Sequence, residues 1–392
     1  MLIRKVSVNN LNDAFKLVKS TGCDDYARLL LAKKGTFCPV LIEKIDNRAA
    51  NILKQEAISC GADAAVNGNI SRFQKGFSDI IILASARQLE LLIKKLSLQP
   101  FGLKEAAVDL KEILENTINT EKVFRYKKSK INLSNTAVMG IINLDPASFS
   151  GDGITDAGKA VAQAQYFEEQ GAALLDIGAE SSRPGVKLID AKTEIKRLIP
   201  VLKLIKKKVK IPISIDTYKY ETSKAVLDEG ADIINDIFAL RKGKDKLAKL
   251  ISDAKAGVIL MHMKGIPSNM QKKPFYKNCV SEVFEFLKER TEYALSFGIG
   301  KDFISVDPGA GFGKTVENNV ELVKNMRVFS SLGCVTAGVS RKRFVRSLAG
   351  ENTASFVTAS LMSAYCGADI VRVHDVAQTV NALKIIDAVR RV

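Results

Sequence analysis

The sequence predicts an α/β protein: a carboxy-terminal (β/α)8 TIM barrel preceded by a small α/β domain. Three observations lead there. From residue 137 onward, eight short apolar runs alternate with helix-patterned segments over about 255 residues, the size of a (β/α)8 barrel. The runs are nearly continuous in Val, Ile, Leu and Ala, as parallel strands buried on both faces are. Each run ends in polar or charged residues, and a barrel of this kind builds its site at the carboxyl ends of its strands. An open doubly wound sheet shares the alternation, but the Gly-x-Gly-x-x-Gly turn expected after its first strand is absent from the sequence.

At 392 residues, two domains are expected. Residues 1–120 alternate strand and helix patterns. Leu2–Val6, Pro39–Lys44 and Asp79–Leu83 read as strands, and Asn12–Ser20, Arg48–Cys60 and Gln88–Leu96 as helices. No phosphate loop, metal cluster or nucleophile motif stands there. Docking, oligomer formation or covering the second domain is the role left to it, and a homodimer stays open. Residues 121–135 are polar and basic and read as a linker. A chain beginning near Asn132 is therefore expected to keep the chemistry of the barrel, residues 136–392.

Composition narrows the partners. Apolar residues make up 46% of the chain, ample for a large core, and no apolar run reaches the roughly 20 residues that span a bilayer. The start, Met1-Leu-Ile-Arg-Lys, is not a signal peptide. Six scattered Cys without a Cys-x-x-Cys, and only two His, argue for reduced thiols in a cytoplasmic protein and against a zinc site. The net charge of +16 is spread over many helices, which fits solvated faces and an anionic small-molecule substrate; neither nucleic acid nor membrane is expected as a partner.

The eight strands are expected at Val138–Ile142, Ala173–Ile177, Ile211–Ile215, Ile233–Ile234, Gly257–Leu260, Phe303–Val306, Cys334–Ala337 and Ile370–Val373, with polar residues rare inside them. Their ends carry Asn143, Asp176, Asp216, Asn235-Asp236, Met261-His262-Met263, Asp307, Ser340-Arg-Lys342 and Arg372-Val-His374-Asp375. Helix capping explains one or two such ends but not eight with cations among them. After Asp307 the chain runs Pro-Gly-Ala-Gly-Phe-Gly-Lys-Thr315, which imitates a phosphate loop. That loop needs Gly at 308, where Pro308 stands without an N–H to offer.

Asp216, Asn235 and Asp307 offer the acceptors and donors that suit a flat heterocycle with an amidine-like edge. Arg183, Lys342, Arg372 and His374 bring the positive charge that suits phosphate oxygens. Asn143 is placed to hold a hydrated Mg2+ bridging to those oxygens. No Ser or Cys stands in a recognisable nucleophile motif. The groups suit positioning and charge stabilisation of a leaving pyrophosphate.

Met139-Gly-Ile-Ile-Asn-Leu-Asp-Pro-Ala-Ser-Phe-Ser, Asp176-Ile-Gly-Ala-Glu-Ser-Ser-Arg-Pro-Gly, Ile215-Asp-Thr-Tyr, Ile234-Asn-Asp, Leu260-Met-His-Met-Lys-Gly, Asp307-Pro-Gly-Ala-Gly-Phe-Gly-Lys, Ser340-Arg-Lys and Arg372-Val-His-Asp follow one another along residues 136–392. In this order the stretch resembles dihydropteroate synthase, the pterin-binding (β/α)8 family of folate biosynthesis. The resemblance implies a transferase that condenses 6-hydroxymethyl-7,8-dihydropterin pyrophosphate with 4-aminobenzoate, uses Mg2+ and is the target of sulfonamides. It implies that Asp216, Asn235, Asp307 and Lys342 hold the pterin, with Met261 and Phe312 packing on it, and that Asp216, Lys342 and Asp307 are catalytic. It implies that Asn143, Ser182, Arg183, Arg372 and His374 face the pyrophosphate and its Mg2+, and that Phe149, Pro184 and Arg343 flank the aminobenzoate. The first loop departs from the family pattern at Asp145, Ala147 and Gly151-Asp152, Ser182 replaces a Thr, and Arg343 replaces a small hydroxyl residue. A pterin-dependent methyltransferase domain and a non-catalytic pterin-binding protein are the alternatives. The first would not need the cations of Ser182-Arg-Pro-Gly, Ser340-Arg-Lys and Arg372-Val-His.

Overall fold

The computed structural model describes residues 1–118, 122–144, 156–180 and 188–391. The chain divides into two compact units, residues 1–120 and 121–392.

The first unit holds an antiparallel sheet of β1 (Val40–Asp46), β2 (Asp63–Val66) and β3 (Phe77–Leu83) in the order β1-β3-β2. Alternation along β3 turns Ile80 and Ile82 onto the helices Asn47–Ser59 and Ala86–Leu96, where they pack with Leu53, Ala57, Leu89 and Leu92. The helix Ala86–Leu96 starts at a capping box in which Ser85 and Gln88 satisfy each other's backbone N–H. Leu2–Val6, expected as a strand, lies outside any helix or strand and is exposed. Arg4 and Lys5 put a charge on each face of it, and no partner strand among the described residues pairs its backbone groups. Three helices, Asp25–Gly35, the single turn Gly68–Ser71 and Leu103–Ile118, and β2 stand where no element was expected.

The second unit opens with a hairpin, β4 (Val123–Tyr126) and β5 (Ser129–Asn132), where the sequence suggested a linker. Eight parallel strands follow: β6 (Ala137–Asn143), β7 (Leu174–Gly178), β8 (Ile213–Asp216), β9 (Ile233–Asp236), β10 (Gly257–Met261), β11 (Ile304–Asp307), β12 (Cys334–Ala337) and β13 (Ile370–Val373). They close into a barrel in which β13 pairs with β6. Their outward residues, such as Leu175, Ile215, Leu260 and Val335, form one continuous core with the surrounding helices.

The hairpin explains why its residues are not a linker. Phe124 is fully buried and, with Ile131 and Leu133, packs on Met139, Leu174, Ile233, Ile259, Cys334 and Ile370 at the amino end of the barrel. Arg125 pairs with Asp302, Lys122 with Asp369 (3.1 Å), and Lys127 with Asp232 (3.0 Å), so the basic residues tie the hairpin to the strand starts. The amino end is closed by an apolar plug, which leaves the carboxyl end as the open one.

Candidate active site

Successive side chains of a strand point to opposite faces, so the plug residues fix which positions line the barrel interior. Met139, Leu174, Ile233, Ile259 and Ile370 lie in the plug. Two and four residues further along, the same face carries Ile141 and Asn143, Asp176 and Gly178, Asn235, Met261, Arg372 and His374. By the same register, Asp176 lies opposite Ser214, and Asp216 opposite Gly178 and Asn235; Met261 lies opposite Asp307. A polar layer therefore sits above the plug, made of Asp176, Ser214, Ser305 and Thr336, all with no solvent exposure. This corrects the expectation that polar residues are rare inside the strands. Asp176, expected as a strand end, is the middle residue of β7. Asp236 has the other parity. Its carboxyl accepts from the N–H of Phe238 and of Leu240, each at 2.7 Å, so it caps the turn after β9 while Asn235 faces inward.

Arg372 links the layers. Its Nε donates to Asp176 Oδ2 at 2.5 Å and its Nη2 to Asp216 Oδ2 at 2.9 Å. Asn235 Nδ2 donates to the same Asp176 oxygen at 3.2 Å, and Ser214 Oγ donates to the other at 2.7 Å. The structure thus brings Asp216, Asn235 and Arg372 together around Asp176, a residue to which the sequence reading gave no role. Its two-residue offset from Leu174 on an apolar strand was the signal available.

Asp307 enters from β11. Its Oδ1 accepts from Gly309 N at 2.7 Å, which bends the chain back at Gly309, where φ is +68°. A side chain there would put its Cβ 1.9 Å from the carbonyl oxygen of His262, so only glycine lets this turn lie on the end of β10. The turn delivers Phe312, whose ring lies 4.1 Å below the Lys342 ammonium and joins Met261, Met263, Met270, Ile237 and Phe238 in one apolar cluster. Lys342 follows Arg341, which adopts φ +56° and pairs with Asp375 at 3.0 Å. His374 Nδ1 lies 3.1 Å from Ser340 Oγ. Arg343 is exposed at the start of the helix Arg343–Ala349, and Asn143 is half-buried at the end of β6. Phe149, Ser182, Arg183 and Pro184 lie outside the described residues.

Crowding three acids, Asp176, Asp216 and Asp307, and two cations, Arg372 and Lys342, into a largely buried site shifts their protonation. Burial pushes the Asp216 carboxyl up to about 7, partly offset by Arg372 and raised further by Asp176 and Glu194. Burial also raises Asp307, against the Gly309 N–H that favours its charged form. Lys342 is lowered to about 8, by burial first and by Arg372 second. The result is a carboxyl and an ammonium that both change charge near neutral pH, beside the apolar cluster of Phe312 and Met261.

Among the described residues no group of three His, Cys, Asp or Glu is placed to hold a metal. Asn143 contributes one amide oxygen from the inner face of β6. That donor set fits Mg2+, which keeps several waters and takes its other ligands from substrate phosphates.

A (β/α)8 barrel with acids, an amide and two cations gathered at the carboxyl ends of its strands defines an enzyme-type site for a polar small molecule. The family model described as pterin binding enzyme matches residues 139–374, and the chain belongs to that family. Among its relatives, the dihydropteroate synthase of Streptococcus pyogenes serotype M1 is 43% identical over 252 residues, covering 62% of this chain and 91% of the relative. The bifunctional dihydropteroate synthase/dihydropteroate reductase of Helicobacter pylori is 32% identical over 393 residues, covering 98% of each chain. The solved structure of Xanthomonas albilineans dihydropteroate synthase with 4-aminobenzoic acid matches 69% of this chain and 99% of that one, at 38% identity and a TM-score of 0.63.

Proposed function

We propose that the chain is a dihydropteroate synthase, which joins 6-hydroxymethyl-7,8-dihydropterin pyrophosphate to 4-aminobenzoate with loss of pyrophosphate. The observation that carries this reading is the Asp176–Arg372–Asp216 network beside Asn235, set in a barrel 43% identical to a dihydropteroate synthase. Asp307 and Asn235 hold the amidine-like edge of the pterin, and Phe312 and Met261 pack on its face under Lys342. The C–O bond to pyrophosphate breaks first. Asp216 in its ionised form stabilises the cationic methylene that remains; the arylamine nitrogen attacks it to form the N–C bond and then gives up one proton to water. Arg183, Arg372, His374 and Ser182 meet the departing pyrophosphate. Asn143 would hold Mg2+, which would supply charge neutralisation on that group. Pterin-dependent methyl transfer would leave these cations without a purpose. Release of pyrophosphate from the pterin substrate, followed with 4-aminobenzoate and with other arylamines, tests the reading. Pyrophosphate release that no arylamine accelerates, with no dihydropteroate formed from 4-aminobenzoate, would refute it.

Arg343 belongs to the aminobenzoate end, where a helix start and a guanidinium both favour a carboxylate. Arg343→Ser is expected to raise the KM for 4-aminobenzoate several-fold and leave that for the pterin substrate unchanged. Both constants unchanged would assign Arg343 to the solvated surface.

A second activity has one observation behind it. The Helicobacter pylori relative, named also as a dihydropteroate reductase, aligns with 98% of this chain, so the match extends through residues 1–120. Reduction of dihydropteroate needs a two-electron donor, so the test supplies the product with reduced nicotinamide or reduced flavin. One donor oxidised per dihydropteroate consumed supports a reductase, and no consumption with either removes it.

A further inference from the structure

The lysine of the phosphate-loop-like run has no part in the chemistry above, and its surroundings give it another task. Lys314 is only 4% exposed. Its Nζ lies 2.9 Å from the carbonyl oxygen of Gly309, 3.0 Å from that of Phe312 and 2.9 Å from His262 Nδ1. Burial lowers the Lys314 ammonium to about 7, and in its charged form its three N–H donors meet three acceptors, which is the condition for keeping such a charge out of water. His262, 5% exposed, is held neutral, its titration pushed well below the usual range by burial first and by Lys314 second. A neutral imidazole that accepts at Nδ1 carries its proton on Nε2. With every donor committed and the side chain buried, Lys314 has none left for a phosphate.

The two carbonyls belong to the turn that carries the heterocycle end of the site. Gly309 is gripped on both sides, its N–H by Asp307 and its C=O by Lys314. Phe312 is gripped through its C=O at the position where its ring supports Lys342. The carbonyls between and beyond are taken by neutral donors from the segment after β10: Gln271 Nε2 reaches Gly311 O at 2.7 Å and Tyr276 Oη reaches Gly313 O at 2.9 Å. At Gly313, a Cβ would come 2.5 Å from the carbonyl oxygen of Lys264, so the turn lies flush on that segment.

We propose that Lys314, with His262 as its neutral acceptor, is a positioning residue for the pterin end of the site: it fixes Asp307 and Phe312 and does not bind phosphate. The assignment rests on the pterin reading above. The test uses the full chain with magnesium, and measures calorimetric binding of the pterin pyrophosphate together with steady-state kinetics. Lys314→Met keeps the length and apolar stem and removes the donors. It is expected to weaken pterin binding and raise the pterin KM by about 10- to 100-fold, the cost of an ångström-scale misplacement. The KM for 4-aminobenzoate at saturating pterin should stay within about two-fold, since that end of the site does not rest on the turn. His262→Asn, which retains an acceptor, should keep more pterin affinity than His262→Leu, and this ordering carries the test if Lys314→Met does not fold. Pterin binding unchanged in folded Lys314→Met, or equal in the two His262 variants, overturns the assignment and leaves the pterin reading standing. A wild-type chain that binds no pterin pyrophosphate overturns both.

Discussion

Half-buried between Arg372 and Lys342, Asp216 loses more hydration than its two cations return, and its carboxyl titrates at about 7. An ordinary Asp titrates near ~3.9, so the folded value is the higher one. The stability that Asp216 contributes is therefore full below about pH 4 and is lost as pH rises through about 7. Function runs the other way, because the ionised form is the one that stabilises a cation. We expect kcat/KM for the pterin substrate to rise with pH up to about 7, and a profile flat from pH 5 to 8 would remove Asp216 from that role. Asp216→Asn should lower kcat by about two orders of magnitude or more, the scale of losing one transition-state electrostatic contact. The same variant should melt roughly 2–4 °C higher at pH 8, for about 1 kcal/mol of relieved burial, and close to wild type at pH 5. Much of this site was legible in the residues themselves, since charged strand ends on apolar runs stand out. What could not be read was the pairing. Sequence places Arg372 among the phosphate-facing cations, and the register of β13 on β6 adds what it could not show, the pairing of that guanidinium with Asp176 and Asp216.

The hairpin β4–β5 shows how an element escapes a reading by composition. Arg125-Tyr-Lys-Lys-Ser-Lys130 is polar and basic, as linkers are, and only Phe124 and Ile131 betray a buried face. Two opposed residues on strands of four give too short an alternation to distinguish from chance. The eight barrel strands were legible as strands, because burial on both faces makes each largely apolar, while the polar residues inside them, Asp176, Ser214, Ser305 and Thr336, were not. Phe124→Ala should cost about 3–5 kcal/mol, as deletion of a fully buried aromatic side chain does. The measurement is the urea midpoint of the transition that abolishes activity, and a midpoint unchanged would show that Phe124 is not a plug. The helix Leu103–Ile118 buries Leu103, Ala107, Leu110 and Leu114 at helical spacing, a pattern present in the sequence among charged neighbours.

For the molecule as a whole, the hairpin moves the point at which the barrel can be cut. A chain beginning near Asn132 was expected to retain activity. It would lack Phe124 and Ile131 and bare Met139, Leu174 and Ile259 to water. We expect that chain to be insoluble and one beginning at residue 121 to fold and turn over dihydropterin pyrophosphate within a few-fold of the full protein. Equal activity in both would show that the barrel closes without the hairpin, and a folded but inactive 121–392 chain would assign residues 1–120 a part in catalysis. The positions of the first two barrel loops were not legible from either source, since residues 145–155 and 181–187 lie outside the described chain.

Because Phe124 stops the amino end, the barrel is a chamber with one door. Whatever lodges deepest, against Asp176 and Asp216, must arrive before anything that sits above it and depart after it. Traffic through the site is thus a queue, last in and first out. Any molecule held at the mouth, substrate or inhibitor, also bars the exit of the one beneath.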